Sequence, residues 1–354
     1  MINANEGVPP AGVDTRYMTT ALLDSPGAVV ADGHDAGVAA HYGDPFREQR
    51  TLAESVGLVD RSHRGVLAVP GADRLSWLHS LTTQHLSDLR PNQGAETLVL
   101  SPHGHVEHHV LVAEDGETTW LDVEPGTQDD LLAFLTRMRF LLRVEPAEVT
   151  ADWAVLSLVG PDTPQALAGL GAEVPPAPYD VRPLPGGGWV RRMPWPGVDA
   201  ADLLVPRAEV AGVVARSGAP LCGSWAYEAL RVEGRHPRLR FETDHRTIVQ
   251  EPGWIPSAVH LSKGCYRGQE TVARVQNLGR PPRRLVLMHL DGSSEHLPPT
   301  GAPITVDGRE IGFVTTAVRH HELGQIALAL VKRSVPDDAS LAVGEVLARI
   351  DADL

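Results

Sequence analysis

The segment KGCYRGQE, residues 263–270, places one of the chain's two cysteines in a short basic loop. Cys265 lies between Gly264 and Gly268, with Lys263 and Arg267 nearby. The thiolate is the reactive form of cysteine, and neighbouring cations favour it. The glycines allow a ligand or partner to approach the backbone closely. The pattern predicts a reactive, accessible thiol. The alternative is a buried structural thiol, because free cysteine is among the most buried residue types.

The residues after Cys265 predict a helix that begins at Gly268 or Gln269 and ends before Pro281. The thiol would then lie just before a helix N-terminus, where the positive end of the helix dipole also favours a thiolate. The second cysteine, Cys222 in GAPLCGSWAYEAL, has no charged neighbours, and we expect it to fill the core or a loop.

The segment SPHGHVEHHV is rich in imidazole groups, which are common zinc ligands. A His-x-His pair on a strand would direct both rings to one face, but a turn at Gly104 would break that alternation. The adjacent pair must split between the two faces of a strand, and no Cys or Asp joins the group. The sequence therefore predicts no metal site at this cluster, which comprises His103, His105, His108 and His109.

Composition limits the class of protein to which the chain can belong. The chain has 354 residues, 42% of them hydrophobic, and a formal net charge of −14. No apolar run approaches the roughly 20 residues needed to span a bilayer, and the N-terminus does not resemble a secretory signal. Two cysteines cannot form a disulfide framework, so we expect a cytoplasmic protein. The negative charge argues against non-specific binding to nucleic acid.

The pattern of elements predicts an α+β protein. Residues 1–40 lack sustained periodicity, and we expect a poorly ordered segment. Residues 41–150 predict a first α+β unit, and residues 151–280 a second unit that carries KGCYRGQE. Residues 281–354 read as short strands separated by turns, which is typical of a small β-barrel.

The segment KGCYRGQE closely resembles the signature of the YgfZ-type folate-binding proteins, which are relatives of the glycine-cleavage T-protein, an aminomethyltransferase. The stretches GLVDRSHRGVLAVPGADRLSWLHSLTTQ, YEALRVEGRHPRL and IGFVTTAVRHHELGQIALALVKR resemble other landmarks of the same family. The resemblance covers about residues 45–345.

The resemblance implies a three-domain cloverleaf around a central channel that holds tetrahydrofolate or a one-carbon derivative. It implies a protein that supports the assembly or repair of iron–sulfur clusters in client enzymes, which it meets transiently, and we expect a monomer. Cys265 and Lys263 would be the working residues. The alternative is a folate-dependent one-carbon transferase of the aminomethyltransferase or demethylase type.

The resemblance implies that a few positions of this chain correspond to the folate-binding residues of the family. Glu233 aligns with the pterin-binding glutamate, and a carboxylate can accept two adjacent pterin N–H groups. Tyr227 and Trp225 would stack on the ring or pack in the core, and packing is the favoured reading. The candidates for the folate tail are Arg274 and Arg284, with Arg280 and Arg283 as further possibilities.

The histidine segment departs from the transferase pattern. T-proteins place a catalytic aspartate in a segment like GHVEHHVLV, and here His108 or His109 stands in that place. A neutral histidine can still transfer protons, so this departure weakens the transferase alternative without abolishing it.

Overall fold

A computed structural model of the protein describes residues 20–197 and 199–352. These residues form two α+β units and a closed six-stranded barrel, and the predicted fold class is confirmed. None of the helices in these ranges is long and apolar enough to cross a membrane.

The segment predicted to be poorly ordered begins outside the described residues, but its second half is folded. Residues 20–40 contain two short 3₁₀ helices (Ala21–Asp24 and Gly33–Asp35) and the start of a strand pair, β1 (Val29–Val30) and β2 (Ala39–His41). The prediction is therefore wrong for residues 20–40. The physical reason is burial: Ala39 and Ala40 are 2% and 1% exposed. Gly223 permits this packing, because a Cβ there would lie 2.1 Å from the Ala40 carbonyl oxygen.

Helix α1 (Pro45–Glu54) follows, with Asp44 as its N-cap, and then strand β3 (Gly57–Asp60). The Asp44 carboxylate accepts hydrogen bonds from the backbone N–H groups of Phe46 and Arg47, at 3.1 and 3.0 Å. These bonds satisfy N–H groups that have no partner within the helix.

The first unit is a five-stranded sheet in the order β5-β6-β7-β4-β8, with paired strands antiparallel. Its strands are β4 (Gly65–Pro70), β5 (Gln93–Leu100), β6 (Val106–Glu114), β7 (Thr118–Val123) and β8 (Ala147–Glu148). Helices α2 (Arg74–Leu81) and α3 (Gln128–Arg137) cover one face and contribute apolar side chains such as Leu78 and Leu131 to the core.

The second sheet has the order β10-β11-β12-β9-β3-β13. Its new members are β9 (Trp153–Val159), β10 (Val181–Pro183), β11 (Trp189–Met193), β12 (Ala200–Pro206) and β13 (Leu221–Cys222). Helices α4 (Thr163–Gly169) and α5 (Val210–Ser217) pack on it. Strand β3 precedes the first sheet in the chain but pairs with β9, so the two units are interlocked.

Three helices lead to the barrel: α6 (Ser224–Glu233), α7 (Ile255–Ala258) and α8 (Gln269–Leu278). The barrel closes in the order β14-β17-β16-β15-β18-β19. Its strands are β14 (Arg283–Leu290), β15 (Pro303–Val306), β16 (Arg309–His320), β17 (Gly324–Lys332), β18 (Leu341–Val343) and β19 (Val346–Ile350). Gln49 joins α1 to the barrel, donating to the Arg319 carbonyl and accepting from the His321 N–H.

Candidate functional site

A cavity of about 380 Å³ lies between α1, α6 and strand β16 of the barrel. Its aromatic walls are Phe46 and Trp225, which are 41% and 51% exposed. Glu228 and Arg319 contribute opposite charges to the lining. Ligand pockets typically combine apolar walls with a few polar groups, so this is the candidate binding cavity.

Tyr227 and Trp225 have different roles, although both were candidates for stacking on a ligand. Successive residues of a helix are about 100° apart, so residues two positions apart point in nearly opposite directions. Trp225 lines the cavity, whereas Tyr227 is 4% exposed. The Arg61 guanidinium lies 4.5 Å from the Tyr227 ring centroid, and Trp195 contacts the same ring edge-on. Tyr227 therefore packs in the core.

Glu233 is the last residue of α6 and its side chain is 45% exposed. A carboxylate oxygen lies 3.3 Å from Nε2 of His320, and this ring lowers the pKa of the Glu233 carboxyl. His320 lines a second cavity of about 510 Å³, which shares Phe46 and Arg319 with the first. The predicted pterin anchor thus contacts a residue that lines the second cavity and belongs to the lining of neither cavity.

The predicted arginines fall into two groups. Arg284 is paired with Asp337, and Arg283 is paired with Asp244 and Glu251 of the segment between α6 and α7. Arg274 and Arg280 are exposed, and neither has an ion-pair partner within residues 20–197 and 199–352. Only this second group is free to meet an external anion.

The two cysteines have opposite environments. Cys265 is exposed, and Cys222 is buried. Burial raises the pKa of the Cys222 thiol to about 12. Tyr266, beside Cys265, is 8% exposed and packs in a hydrophobic cluster that includes Leu100 and Val272. The loop therefore presents the sulfur of Cys265 outwards while its neighbour points into the core.

Lys263 does not direct its charge to the thiol. Its ammonium donates hydrogen bonds to the backbone carbonyls of His79, Thr82 and Gln84, the last two at 2.6 and 2.9 Å. Burial lowers the pKa of Lys263 to about 8. The three acceptors match the three N–H donors of an ammonium group. Lys263 thus fastens the loop to the segment that follows α2.

The far side of the loop is fastened to the first unit as well. Arg267 pairs with Glu107 of β6 at 2.9 Å. Gly268 has φ +81°, and a Cβ there would lie 2.8 Å from Cα of Gly104. Gly264 has nothing within 4 Å of the position of a Cβ. One glycine therefore serves close packing between two loops, and the other leaves open space beside Cys265.

A buried histidine–glutamate pair, which was not predicted, joins β5 to β6. Nε2 of His109 lies 2.6 Å from Oε1 of Glu96, and the Tyr179 hydroxyl donates to the other carboxylate oxygen at 2.9 Å. The His109 ring stacks on Trp254 with centroids 5.1 Å apart. The bond from His109 lowers the pKa of the Glu96 carboxyl, although burial opposes this. Nδ1 of His109 is buried and has no partner among the described residues.

The register of the hairpin explains how this pair forms. Leu98 pairs with His109, and Glu96 pairs with Leu111, so Glu96 and His109 are diagonal neighbours on one face. His108 pairs with Val99 and, as predicted, lies on the opposite face. Strand parity in the hairpin is the sequence signal that indicates this pair.

The histidine cluster forms no metal centre in the described part of the chain. No group of three or more His, Cys, Asp or Glu side chains in those ranges could hold a metal ion. The rings of His103 and His105 are 6.4 Å apart.

Two family models match the chain. The GCVT N-terminal domain matches residues 21–177, and the glycine cleavage T-protein C-terminal barrel domain matches residues 283–352. The two matches together cover more than half of the chain. The chain belongs to the glycine cleavage T-protein family.

The relatives that this chain matches carry the names of transferases. A protein from Arabidopsis thaliana that is provisionally named a chloroplastic transferase is 26% identical over 366 residues, covering 98% of this chain and 80% of its own. The aminomethyltransferase of Rubrobacter xylanophilus is 29% identical over 315 residues, covering 86% and 84%.

A solved structure has the same fold as this T-protein relative. It is the glycine cleavage system aminomethyltransferase T from Bartonella henselae, with a TM-score of 0.82, 16% sequence identity, and coverage of 93% of this chain and 94% of that chain. The family is one of folate-dependent, aminomethyltransferase-like proteins.

Proposed function

We propose that the protein binds a reduced folate and supports the assembly or repair of iron–sulfur clusters in other enzymes through Cys265. The observation that carries this proposal is the exposed thiol on a loop that is anchored on both sides. Lys263 and Gly268 hold the two ends of the loop, so the sulfur has a defined position. Thiolates are the usual protein ligands of iron–sulfur clusters and the attacking groups in disulfide exchange.

The protein would be an accessory factor and not itself an iron–sulfur protein. Its two cysteines cannot supply the four thiolates of a cluster from one chain. Cys222 is also buried, which leaves Cys265 as the accessible thiol. As part of this proposal, the protein acts in the cytoplasm as a monomer and meets its clients transiently.

The candidate cavity has the chemistry that a reduced folate requires. Phe46 and Trp225 offer aromatic surface to a planar pterin. Glu228 lies in the wall, and Glu233 lies about one and a half turns further along α6. Both oxygens of Glu228 already accept from Arg231 and Arg238, so Glu233 is the carboxylate that can accept a pair of pterin N–H groups. Arg319 can meet a carboxylate of the folate tail.

A binding titration with tetrahydrofolate tests the cavity and the anchor separately. If Glu233 is the pterin anchor, Glu233→Ala lowers affinity by roughly 30- to 100-fold, which corresponds to about 2–3 kcal/mol. Trp225→Ala tests the cavity wall, and Glu345→Ala, at an exposed position in the barrel, is the matched control. Wild-type affinity in both Glu233→Ala and Trp225→Ala would exclude this cavity as the folate site.

A complementation assay tests the role of the thiol. We expect Cys265→Ser to fold and to bind tetrahydrofolate normally, yet to leave the activity of client iron–sulfur enzymes low in cells that lack the wild-type protein. Cys222→Ser is the control that changes the other thiol. Full complementation by Cys265→Ser would remove the thiol from the mechanism, whatever the result of the folate titration.

One observation favours a second candidate function, one-carbon transfer. By resemblance, His108 or His109 stands where T-proteins carry their catalytic aspartate, and His109 is held by the buried Glu96 carboxylate. A histidine oriented in this way can accept and return a proton.

A reconstituted glycine-cleavage assay separates the two candidates. We expect turnover well below that of a true aminomethyltransferase, because a catalytic acid or base typically contributes about 10²–10⁴-fold. Turnover comparable to that enzyme, and abolished by His109→Phe, would favour the transferase function over the accessory one.

A further inference from the structure

A second aromatic cavity, of about 420 Å³, opens where the first and second sheets meet. Three of the chain's seven tryptophans line it: Trp120 on β7, Trp153 on β9 and Trp189 on β11. The rings of Trp120 and Trp153 meet edge to face, with centroids 4.8 Å apart and planes at 62°. Three separate strands of two sheets thus bring indole rings to one opening.

The charged groups of this cavity are acidic. Asp115 and Glu117, in the turn between β6 and β7, belong to its lining, and no Lys, Arg or His among the described residues does. The Arg191 guanidinium lies behind the wall, 5.1 Å from the centroid of the Trp189 ring, so Trp120 and Trp153 are the rings left for a ligand. Trp120 donates its indole N–H to Asp115 at 2.7 Å, and the backbone N–H groups of Glu117 and Thr118 donate to the other carboxylate oxygen at 2.9 and 2.7 Å. The Asp115 carboxylate is therefore fixed beside the aromatic wall.

Packing between the two sheets does not account for this arrangement. The inner parts of the tryptophans belong to a hydrophobic cluster at the sheet junction, with residues such as Val66 and Val155. Trp189 is closed over, with 5% of its surface exposed, but Trp120 and Trp153 are only partly buried and two carboxylates lie beside them, which packing alone does not require. Here the rings border an open cavity within the range of roughly 300–1,000 Å³ that is typical of small-molecule sites.

We propose that this cavity binds a small organic cation through a methylated ammonium group. The faces of indole rings are electron-rich and attract cations, and tryptophan is the strongest aromatic partner. Methylation lowers the cost of removing the ammonium from water while the positive charge remains. Asp115 and Glu117 add Coulomb attraction at the opening. The same charges repel an anion such as folate, so this site is independent of the proposed folate cavity.

Calorimetric titration of the full chain with choline tests the proposal. The matched ligand is its neutral isostere, the alcohol in which a tert-butyl group replaces the trimethylammonium group. We expect choline to bind on the order of tenfold more tightly than this alcohol at equal ionic strength, because only choline gains the cation–π attraction. Binding should also change the tryptophan fluorescence. Equal affinities, or no saturable binding of choline, would overturn the proposal.

Variants identify the cavity. We expect Trp120→Leu to weaken choline binding on the order of tenfold and Glu117→Gln to weaken it about threefold. Glu310→Gln, at an exposed position in the barrel, is the matched charge control and should have no effect. Glu117 is exposed, so its variant keeps the test decisive if Trp120→Leu fails to fold. Unchanged binding in Glu117→Gln, or binding of a trimethyllysine peptide without binding of choline, would refute the proposed occupant.

Discussion

Lys263 and Cys265 are two positions apart in the sequence, yet their side chains have opposite surroundings. Lys263 is 7% exposed and bonded to three backbone carbonyls, and Cys265 is exposed. The sequence predicted that the lysine charge acts on the thiol. In the structure the Lys263 ammonium instead bonds to backbone carbonyls at the end of α2 and just after it, because a buried ammonium needs acceptors for its three N–H groups.

The Lys263→Met variant should therefore lose stability and keep its thiol chemistry. Three buried carbonyls lose a charged donor, and we expect the free energy of unfolding to fall by about 2–4 kcal/mol. Alkylation of Cys265 at neutral pH should not slow. The measurements are denaturant unfolding and the pH profile of alkylation, with Cys222 as the internal control. Slower alkylation at unchanged stability would show that Lys263 activates the Cys265 thiol after all.

The His108 and His236 rings predict a loss of stability in acid. Burial lowers the pKa of each to about 4, whereas the pKa of an unfolded histidine is about 6.5. The unfolded chain therefore binds the protons more tightly. The stability contribution is complete above pH 6.5 and is lost as the pH falls towards 4.

For His108 alone this loss reaches about 2 kcal/mol by pH 5. Urea unfolding between pH 7 and pH 5 should show a shallower decline for His108→Gln than for the wild type. His103→Gln, which changes an exposed ring of the same segment, is the control. Parallel declines in wild type and His108→Gln would mean that the His108 ring takes up its proton without unfolding.

At the scale of elements, the sequence predicted where helices and strands lie better than it predicted which elements pair. The helix after Cys265 begins at Gln269, as predicted, because glycine and proline signals mark its ends locally. The pairing of β3 with β9 was not predicted, because periodicity identifies a strand without identifying its neighbour. The same limit hid the contact between Glu96 and Tyr179, residues that lie 83 positions apart in the chain.

The contact between the Cys265 loop and the turn before β6 gives an element-scale prediction. Gly268→Ala places a side chain at φ +81° and 2.7 Å from the Ser101 carbonyl oxygen. We expect a loss of about 1–3 kcal/mol in the free energy of unfolding, because the backbone is strained and the two loops must separate. The loop should also become more mobile, which hydrogen exchange at residues 263–268 can detect.

Gly264→Ala is the matched control for this prediction, since nothing lies within 4 Å of its Cβ position. It should leave stability nearly unchanged. If the two variants lose equal stability, the contact with the Ser101 turn does not hold the loop in place.

At the scale of the whole molecule, buried ion pairs connect the two α+β units and the barrel. Arg191 lies between Asp122 of the first sheet and Asp202 of the second, at 2.7 and 2.9 Å. Arg231 of α6 pairs with Glu242 and donates to the Thr316 hydroxyl in the barrel. The connected set also includes Arg61, Arg64, Arg238, Asp35, Glu124 and Glu228. Sequence patterns could not predict this network, because its members are distant in the chain and meet only after the sheets have packed.

Removing one member should weaken the whole molecule. Arg191→Met keeps much of the side-chain volume but leaves Asp122 and Asp202 buried without their shared cation. We expect a loss of about 3–5 kcal/mol, because the two buried carboxylates lose the cation between them and keep only Arg64 and Arg61 as partners. Arg192→Met is the matched control: Arg192 lies on the same strand, is half-exposed, and donates to the Pro176 carbonyl.

Adding Asp202→Asn to Arg191→Met should recover part of the loss, because a neutral amide costs less to bury than a carboxylate. Denaturant unfolding of the four proteins, followed by circular dichroism and by tryptophan fluorescence, measures these differences. If Arg191→Met loses no more stability than Arg192→Met, the bridge between the two sheets contributes nothing beyond an ordinary surface arginine.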